Sequence, residues 1–209
     1  MFRGCILPKS SFSKRELLLQ RTPFFYGWVI VVVSGITMFF RNSASTLTIA
    51  VFVFPMSEEL GWSRTAIVGA AAFGGLVSMF ILPVTGWAQQ RFGPRFSLTS
   101  SMLILGLVIT GLRWTDSILT FYILFALGRV VFSAPVQVGA TTVVAQWFVK
   151  FRGRATAVTG VLHSIGMGFF PLMAQLLMNI NNGDWRMAWF WMGISVWIVA
   201  LPAAYLLLV

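Results

Sequence analysis

Six long apolar stretches, joined by short connections that carry most of the charge, restrict this chain more than any other feature. Hydrocarbon offers no partner to a bare N–H or C=O, and a helix of about 20 residues satisfies its own backbone across a bilayer. The stretches 26–54, 64–88, 96–114, 118–146, 155–179 and 187–208 approach or exceed that length. Only 10% of the residues are charged and 58% are hydrophobic, whereas soluble domains average roughly a quarter charged. The expected fold is an all-α membrane protein, with a basic tail over 1–25 and six transmembrane helices over 26–209.

The charges predict an orientation. The tail, the 91–95 connection and the 150–154 connection hold 10 of the 15 Lys and Arg residues. Arg64, Arg113 and Arg186 fall on the opposite side with Glu58, Glu59, Asp116 and Asp184. Basic residues concentrate on the cytoplasmic face of membrane proteins, so both termini are expected to be cytoplasmic, with a bacterial inner (plasma) membrane as the expected location. The tail lacks the apolar core of a signal peptide. A net charge of +10 spread among hydrophobic segments does not make the single basic face that nucleic acid requires. Trp28, Trp62, Trp87, Trp114, Trp147 and Trp185 stand near span ends, as interfacial belts place them.

Two arginines remain inside the membrane. Arg41 lies roughly 22 Å from either end of its span at about 1.5 Å per residue, too far for its side chain to reach water along the helix. At 100° per residue, Ser34, Thr37, Arg41, Ser45 and Thr48 fall within an arc of about 80°. In the fourth span Tyr122, Ala126, Arg129, Ser133 and Gln137 share a similar arc. Polar groups are costly in lipid, so both stripes are expected to face an interior cavity.

No Asp or Glu lies within any of the six stretches. Two interior cations without an internal counter-charge call for an anionic ligand, and the planar fork of Arg suits a carboxylate. Arg41, Arg129, Ser34, Thr37, Ser45 and Tyr122 are therefore the candidate substrate-binding residues. His163 in the fifth span is either a proton carrier or a hydrogen-bonded interior histidine. Gly69, Gly74, Gly75, Gly160, Gly166 and Gly168 are expected to mark close helix packing, and Pro83, Pro135, Pro171 and Pro202 to mark kinks. One histidine and one cysteine cannot assemble a zinc site, and no G-x-S-G nucleophile motif occurs. No enzymatic activity, metal or cofactor is expected.

The connection after the second stretch reads Gly86-Trp-Ala-Gln-Gln90-Arg91-Phe-Gly93-Pro-Arg95. It resembles the signature of the major facilitator superfamily between its second and third helices, with Gln90 where that family usually has Asp and Phe96 in place of its last basic residue. "YGWVIV", "SEELGWSRTA", "WFVKFRGRATAVTG" and "DWRMAWF" resemble the branch holding monocarboxylate transporters and oxalate/formate antiporters. Arg129 resembles that family's fourth-helix arginine motif, although Phe132 and Ser133 replace the usual Gln and Gly. Arg41 and Arg129 are each followed 23–25 residues later by a basic helix start, an echo expected of two inverted three-helix repeats.

The resemblance covers about residues 24–209 and implies the amino-terminal half of a twelve-helix fold, truncated before a second six-helix half. It implies a secondary active transporter that moves small organic anions, of monocarboxylate or dicarboxylate type, by alternating access. A coupled proton or counter-anion, the lipid bilayer and the carboxyl-terminal half would be its partners. Spans one and four would line the cavity, and Gly86, Gln90, Arg91, Gly93 and Arg95 would form a conformational latch. The alternatives are an efflux carrier for lipophilic compounds and a non-transporting half-length membrane protein.

Overall fold

The computed structural model describes residues 27–133, 135–148 and 151–207, so the basic tail and Lys150 lie outside the described residues. Six helical spans are long and apolar enough to cross a membrane: Gly27–Leu60, Arg64–Gly93, Arg95–Trp114, Ile118–Ala145, Arg152–Ile180 and Trp185–Tyr205. Among the described residues there is no strand.

Local chemistry sets most of the boundaries. Ser63 caps the second span by accepting the Ala66 amide at 3.2 Å, and Asp184 caps the sixth by accepting those of Arg186 and Met187 at 2.8 and 3.2 Å. The helical run Arg64–Gly111 is interrupted at Gly93, whose φ of 81° and ψ of 158° belong to a region almost reserved for glycine. That residue turns one long run into the second and third spans. The sixth span carries a five-residue π turn over Val196–Ala200 just before Pro202, a usual response to a missing helix N–H.

The first span departs from the continuous helix expected of it. Gly27–Phe40 is α-helical, Arg41–Ala44 forms a 3-10 turn, Ser45 is extended (φ −76°, ψ 159°), and the helix resumes over Thr46–Leu60. Ser45 caps the second piece by accepting the Thr48 amide at 3.1 Å, while Thr48 Oγ1 donates to the Asn42 carbonyl at 2.7 Å. The short hydroxyl side chains of "NSAST" thus satisfy the backbone groups that the break exposes.

Close approaches define how the spans pair. A Cβ on Gly35 would run into Leu162, joining the first span to the fifth. One on Gly74 would come within 2.8 Å of Arg129 Cβ and 3.1 Å of Ala126 Cα, joining the second to the fourth. Gly193 meets Thr110 and Gly106 meets Trp197, joining the third to the sixth. Exchanging spans 1, 2 and 3 with 4, 5 and 6 leaves this set of pairs unchanged, as two inverted three-helix repeats require. The core between them is aromatic and sulfur-rich, with Phe52 stacked on Trp189 at 4.1 Å and Phe121 on Phe125 at 5.7 Å.

Two sequence expectations need correction. Gly69, Gly74 and Gly166 are packed closely, but a Cβ on Gly75, Gly160 or Gly168 would meet nothing within 4 Å, so these three lie on the bundle surface. Trp185 is buried rather than interfacial, because its indole N–H donates to Glu59 at 2.6 Å. Glu59 also pairs with Arg186 at 3.1 Å, and Arg186 reaches Asp116 at 3.0 Å and the Arg113 carbonyl at 2.9 Å. One arginine thereby ties the end of the first span, the turn after the third and the start of the sixth. This acidic end lies opposite the basic end that carries Arg91, Arg95, Arg152 and Arg154.

Replacing Gly93 tests the joint between the second and third spans. Gly93→Ala is expected to lose about 1–3 kcal/mol, the usual cost of a residue forced into a sparsely populated backbone region, read as a lower unfolding midpoint in detergent.

Candidate functional site

The break in the first span delivers a guanidinium to the interior. Arg41 is only 4% exposed. Its Nη1 donates to the Phe132 carbonyl at 3.0 Å and to Gln137 Oε1 at 2.9 Å, both on the fourth span. Phe132 lies one turn before Pro135, which has no N–H and interrupts the regular backbone pairing of the fourth span, and its carbonyl receives Arg41. The Arg41 guanidinium carbon also stands 4.4 Å from the Phe132 ring centroid.

Arg129 approaches the same ring, with its guanidinium carbon 4.7 Å from the centroid. Two cations are thus gathered around one aromatic side chain, whose π electrons attract each of them. Neither has a carboxylate partner among the described residues, whose only ion pairs are those of Arg186 at the acidic end. Arg41 Nε and Arg129 Nε are buried without a hydrogen-bond partner, as are Asn42 Oδ1, Ser34 Oγ and Ser43 Oγ. Groups of this kind are costly to bury unsatisfied; these five stand on the first and fourth spans, while Thr99, Thr110, Thr115 and Trp189 carry others on or beside the third and sixth.

His163 brings the fifth span into the site. Its Nε2 lies 3.4 Å from Arg41 Nη2, and its Nδ1 lies 3.0 Å from Asn42 Nδ2. The Asn42 nitrogen also faces the carbonyls of Met38 at 3.0 Å and of Phe39 and His163 at 3.2 Å. An oxygen in its place would confront three carbonyl oxygens, so the amide orientation is fixed by its surroundings. The two N–H groups of Asn42 are shared among these three carbonyls and the ring, so Asn42 does not set the tautomer; with the ring proton on Nδ1, Nε2 accepts from Arg41 Nη2. Phe39, Phe40, Phe169 and Phe170 close this side with ring contacts of 5.2–5.7 Å.

The other sequence candidates divide. Ser34 and Thr37 are fully buried on the Arg41 helix, and Thr37 donates to the Ser34 carbonyl at 2.8 Å. Ser45 is committed to its cap and shares a 2.9 Å bond with Thr48. Tyr122 donates to the Ala66 carbonyl at 2.7 Å and joins the fourth span to the second, with no contact to Arg41. In the connection motif Gln90 is exposed, while its neighbour Gln89 is buried and donates to the Pro135 carbonyl at 2.7 Å. Arg91 lies over Trp87 at 5.2 Å, Arg95 donates to the Tyr205 carbonyl at 2.8 Å, and nothing stands within 4 Å of a Cβ on Gly86.

Sequence reasoning did not choose Asn42, Phe132, Gln137 or Gln89. Gln137 stood on the polar stripe of the fourth span, and Asn42 stood beside Arg41, so both carried a signal. The Phe132 carbonyl carried none, because a backbone acceptor has no side-chain signature.

Six apolar helices with two interior arginines that have no carboxylate partner among the described residues define an integral membrane protein. The Major Facilitator Superfamily model matches residues 18–209, and the chain belongs to that family of membrane transporters. Monocarboxylate transporter 9 of Mus musculus is 28% identical over a match covering 76% of this chain and 31% of that protein. Monocarboxylate transporter 9 of Rattus norvegicus matches with the same identity and coverage. The chain thus spans about a third of the length of the curated relatives it matches.

Gly166 tests the packing beneath the site. A Cβ there would lie 2.7 Å from the Phe39 carbonyl oxygen and 2.8 Å from Asn42 Nδ2. Gly166→Ala is expected to destabilise the protein by about 1–3 kcal/mol, whereas Gly168→Ala, on the open surface, stays within about 0.5 kcal/mol of the parent. Unfolding midpoints in detergent compare the two, and equal shifts would contradict this packing.

Proposed function

We propose that the protein moves small organic anions, of monocarboxylate or dicarboxylate type, across a membrane by alternating access. One observation carries the reading: Arg41 is buried near mid-span and held only by neutral acceptors, with Arg129 beside it and no acid in reach. A buried cation without counter-charge is expensive, and a carboxylate supplies that charge. The Phe132 carbonyl and Gln137 Oε1 both accept from Nη1, which leaves Nη2 and Nε as the donors not committed to them. An entering anion would meet those two donors, and the fork of Arg41 would grip it bidentately.

His163, 3.4 Å from Arg41 Nη2, would line the site from the fifth span. It would also offer the site a titratable group for a coupled proton, with counter-anion exchange as the alternative mode. The N-terminus of Thr46–Leu60 adds a positive dipole end next to the break. Because the anion would touch the first, fourth and fifth spans, its binding would distinguish one arrangement of them from another, as a transport cycle requires. The similarity to monocarboxylate transporter 9 agrees with this substrate class.

In this reading both termini are cytoplasmic in a plasma or bacterial inner membrane, supported by the basic residues gathered at one end. In a protein of the relatives' length a second six-helix half would close the cavity. The 86–95 connection would latch the cytoplasmic side against it, more weakly with Gln90 than with a charged Asp.

Uptake of labelled lactate, oxalate and formate into proteoliposomes tests the anion site, using the full-length reading frame wherever it continues past Val209. Arg41→Ala is expected to cut uptake roughly thirtyfold or more, the least expected when one partner of a buried charged contact is removed. Arg41→Lys keeps the charge but loses the fork, and falls between. Parent rates in both variants would sink the assignment. Gln90→Asp in the same protein is expected to shift accessibility labelling towards the outward-open side; unchanged labelling on both faces contradicts the weakened latch.

A further inference from the structure

Towards the basic end of the bundle, two grooves open on the surface on either side of one aromatic wall. The smaller, about 270 Å³, lies among the second, third and fourth spans and is lined by Thr85, Phe92, Phe96, Ser100, Ile104 and Pro135. The larger, about 600 Å³, lies between the third span and the end of the sixth and is lined by Phe92, Arg95, Phe96, Thr99, Leu103 and Tyr205. Phe92 and Phe96 separate them, with ring centroids 5.6 Å apart.

Charge crowns this pair of apolar grooves. Arg95 is braced by its 2.8 Å bond to the Tyr205 carbonyl and lies 5.7 Å from the Tyr205 ring, yet most of its five N–H donors remain free. Arg91, on the other side of Gly93, rests against Trp87 at 5.2 Å and Phe92 at 6.0 Å, and makes no ion pair among the described residues. Thr99 Oγ1, on the wall of the larger groove, is buried without a hydrogen-bond partner. The described acids Glu58, Glu59, Asp116 and Asp184 all lie at the opposite end.

We propose that these features form a binding site for one two-chain anionic phospholipid. Its phosphate rests on Arg91 and Arg95, and one acyl chain enters each groove with Phe92 and Phe96 between them. The division of the apolar surface into two grooves beneath one pair of cations fits a ligand with two tails and one charged head. A protein helix would need a single continuous groove. Trp87 and Tyr205 stand where aromatic residues meet the headgroup layer, and basic pockets between spans at that level suit anionic headgroups. A zwitterionic headgroup would find no acid for its ammonium, and the Trp87, Phe92 and Tyr205 rings already receive the arginines. The two arginines flank Gly93, so the lipid would bridge the joint between the second and third spans.

Native mass spectrometry of the full chain, released from detergent containing equal phosphatidylglycerol and phosphatidylcholine, tests the site. One phosphatidylglycerol is expected to be retained in preference, with retention falling about fivefold for each of Arg91→Gln and Arg95→Gln. Arg113→Gln at the acidic end is expected to leave retention unchanged. Arg91 donates no hydrogen bond within the described residues, so its variant should fold even if Arg95→Gln does not; circular dichroism checks both. Equal retention of the two lipids overturns the proposal, as does undiminished retention in Arg91→Gln. Retention of lysophosphatidylglycerol as strong as that of the two-chain lipid overturns the two-groove assignment. Displacement by millimolar inorganic phosphate would show a free-anion site and overturn the lipid assignment.

Discussion

Burying Arg41 without an acid beside it is the constraint around which the other interior features arrange themselves. A guanidinium in an apolar interior needs acceptors for its donors, and here they come from a carbonyl and an amide oxygen of the fourth span and the ring of Phe132. Those partners hold the side chain in place but leave its charge uncancelled. The fourth span must therefore lie against the first at that level, and the fifth must bring His163 to the remaining donor. The neighbouring Arg129 deepens the imbalance. Two interior cations without a carboxylate among the described residues are what carry the anion-binding reading proposed above.

The helix break is the local device that makes this geometry possible. A straight first span would carry its stripe of hydroxyls past the fourth and fifth spans without a turn. Instead the chain tightens at Arg41–Ala44, passes through an extended Ser45 and restarts. Asn42 then reaches two carbonyls of its own helix together with the carbonyl and ring of His163, binding the first span to the fifth. The absent side chain of Gly166 lets the two backbones come this close. At the acidic end, Arg186 and Glu59 tie the connections together. That link has exposed partners and is worth little by itself, but it works alongside the buried Trp185–Glu59 hydrogen bond.

Spans were legible because they depend on local composition. Twenty apolar residues announce a helix, and short connections such as the one holding Gly93 announce its stop. The interior direction of Arg41 was legible for the same reason, since Ser34, Thr37 and Arg41 share one face. Legibility failed where the decisive group lay on another span. Nothing around Trp185 shows that it will bury itself against Glu59 rather than lie in the interface. Gly74 and Gly75 are neighbours with the same propensity, yet one faces Arg129 and the other faces outward. The choice between Gln89 and Gln90 turned on a one-residue rotation of the second span relative to Pro135.

By itself the sequence determined the solvent, the number of spans, the side on which charge accumulates, and the absence of any acid in the apolar stretches. These follow from the free energy of placing each residue type in hydrocarbon, which is nearly independent of distant neighbours. Tertiary structure alone decided that the first span breaks at Arg41, that a backbone carbonyl and Gln137 receive its guanidinium, and that Arg129 approaches the same phenyl ring. It also decided that His163 presents Nε2 rather than Nδ1 to Arg41. These depend on the rotation and height of three packed helices. A turn of 100° per residue is enough to exchange a buried neighbour for an exposed one, and only close packing selects the rotation.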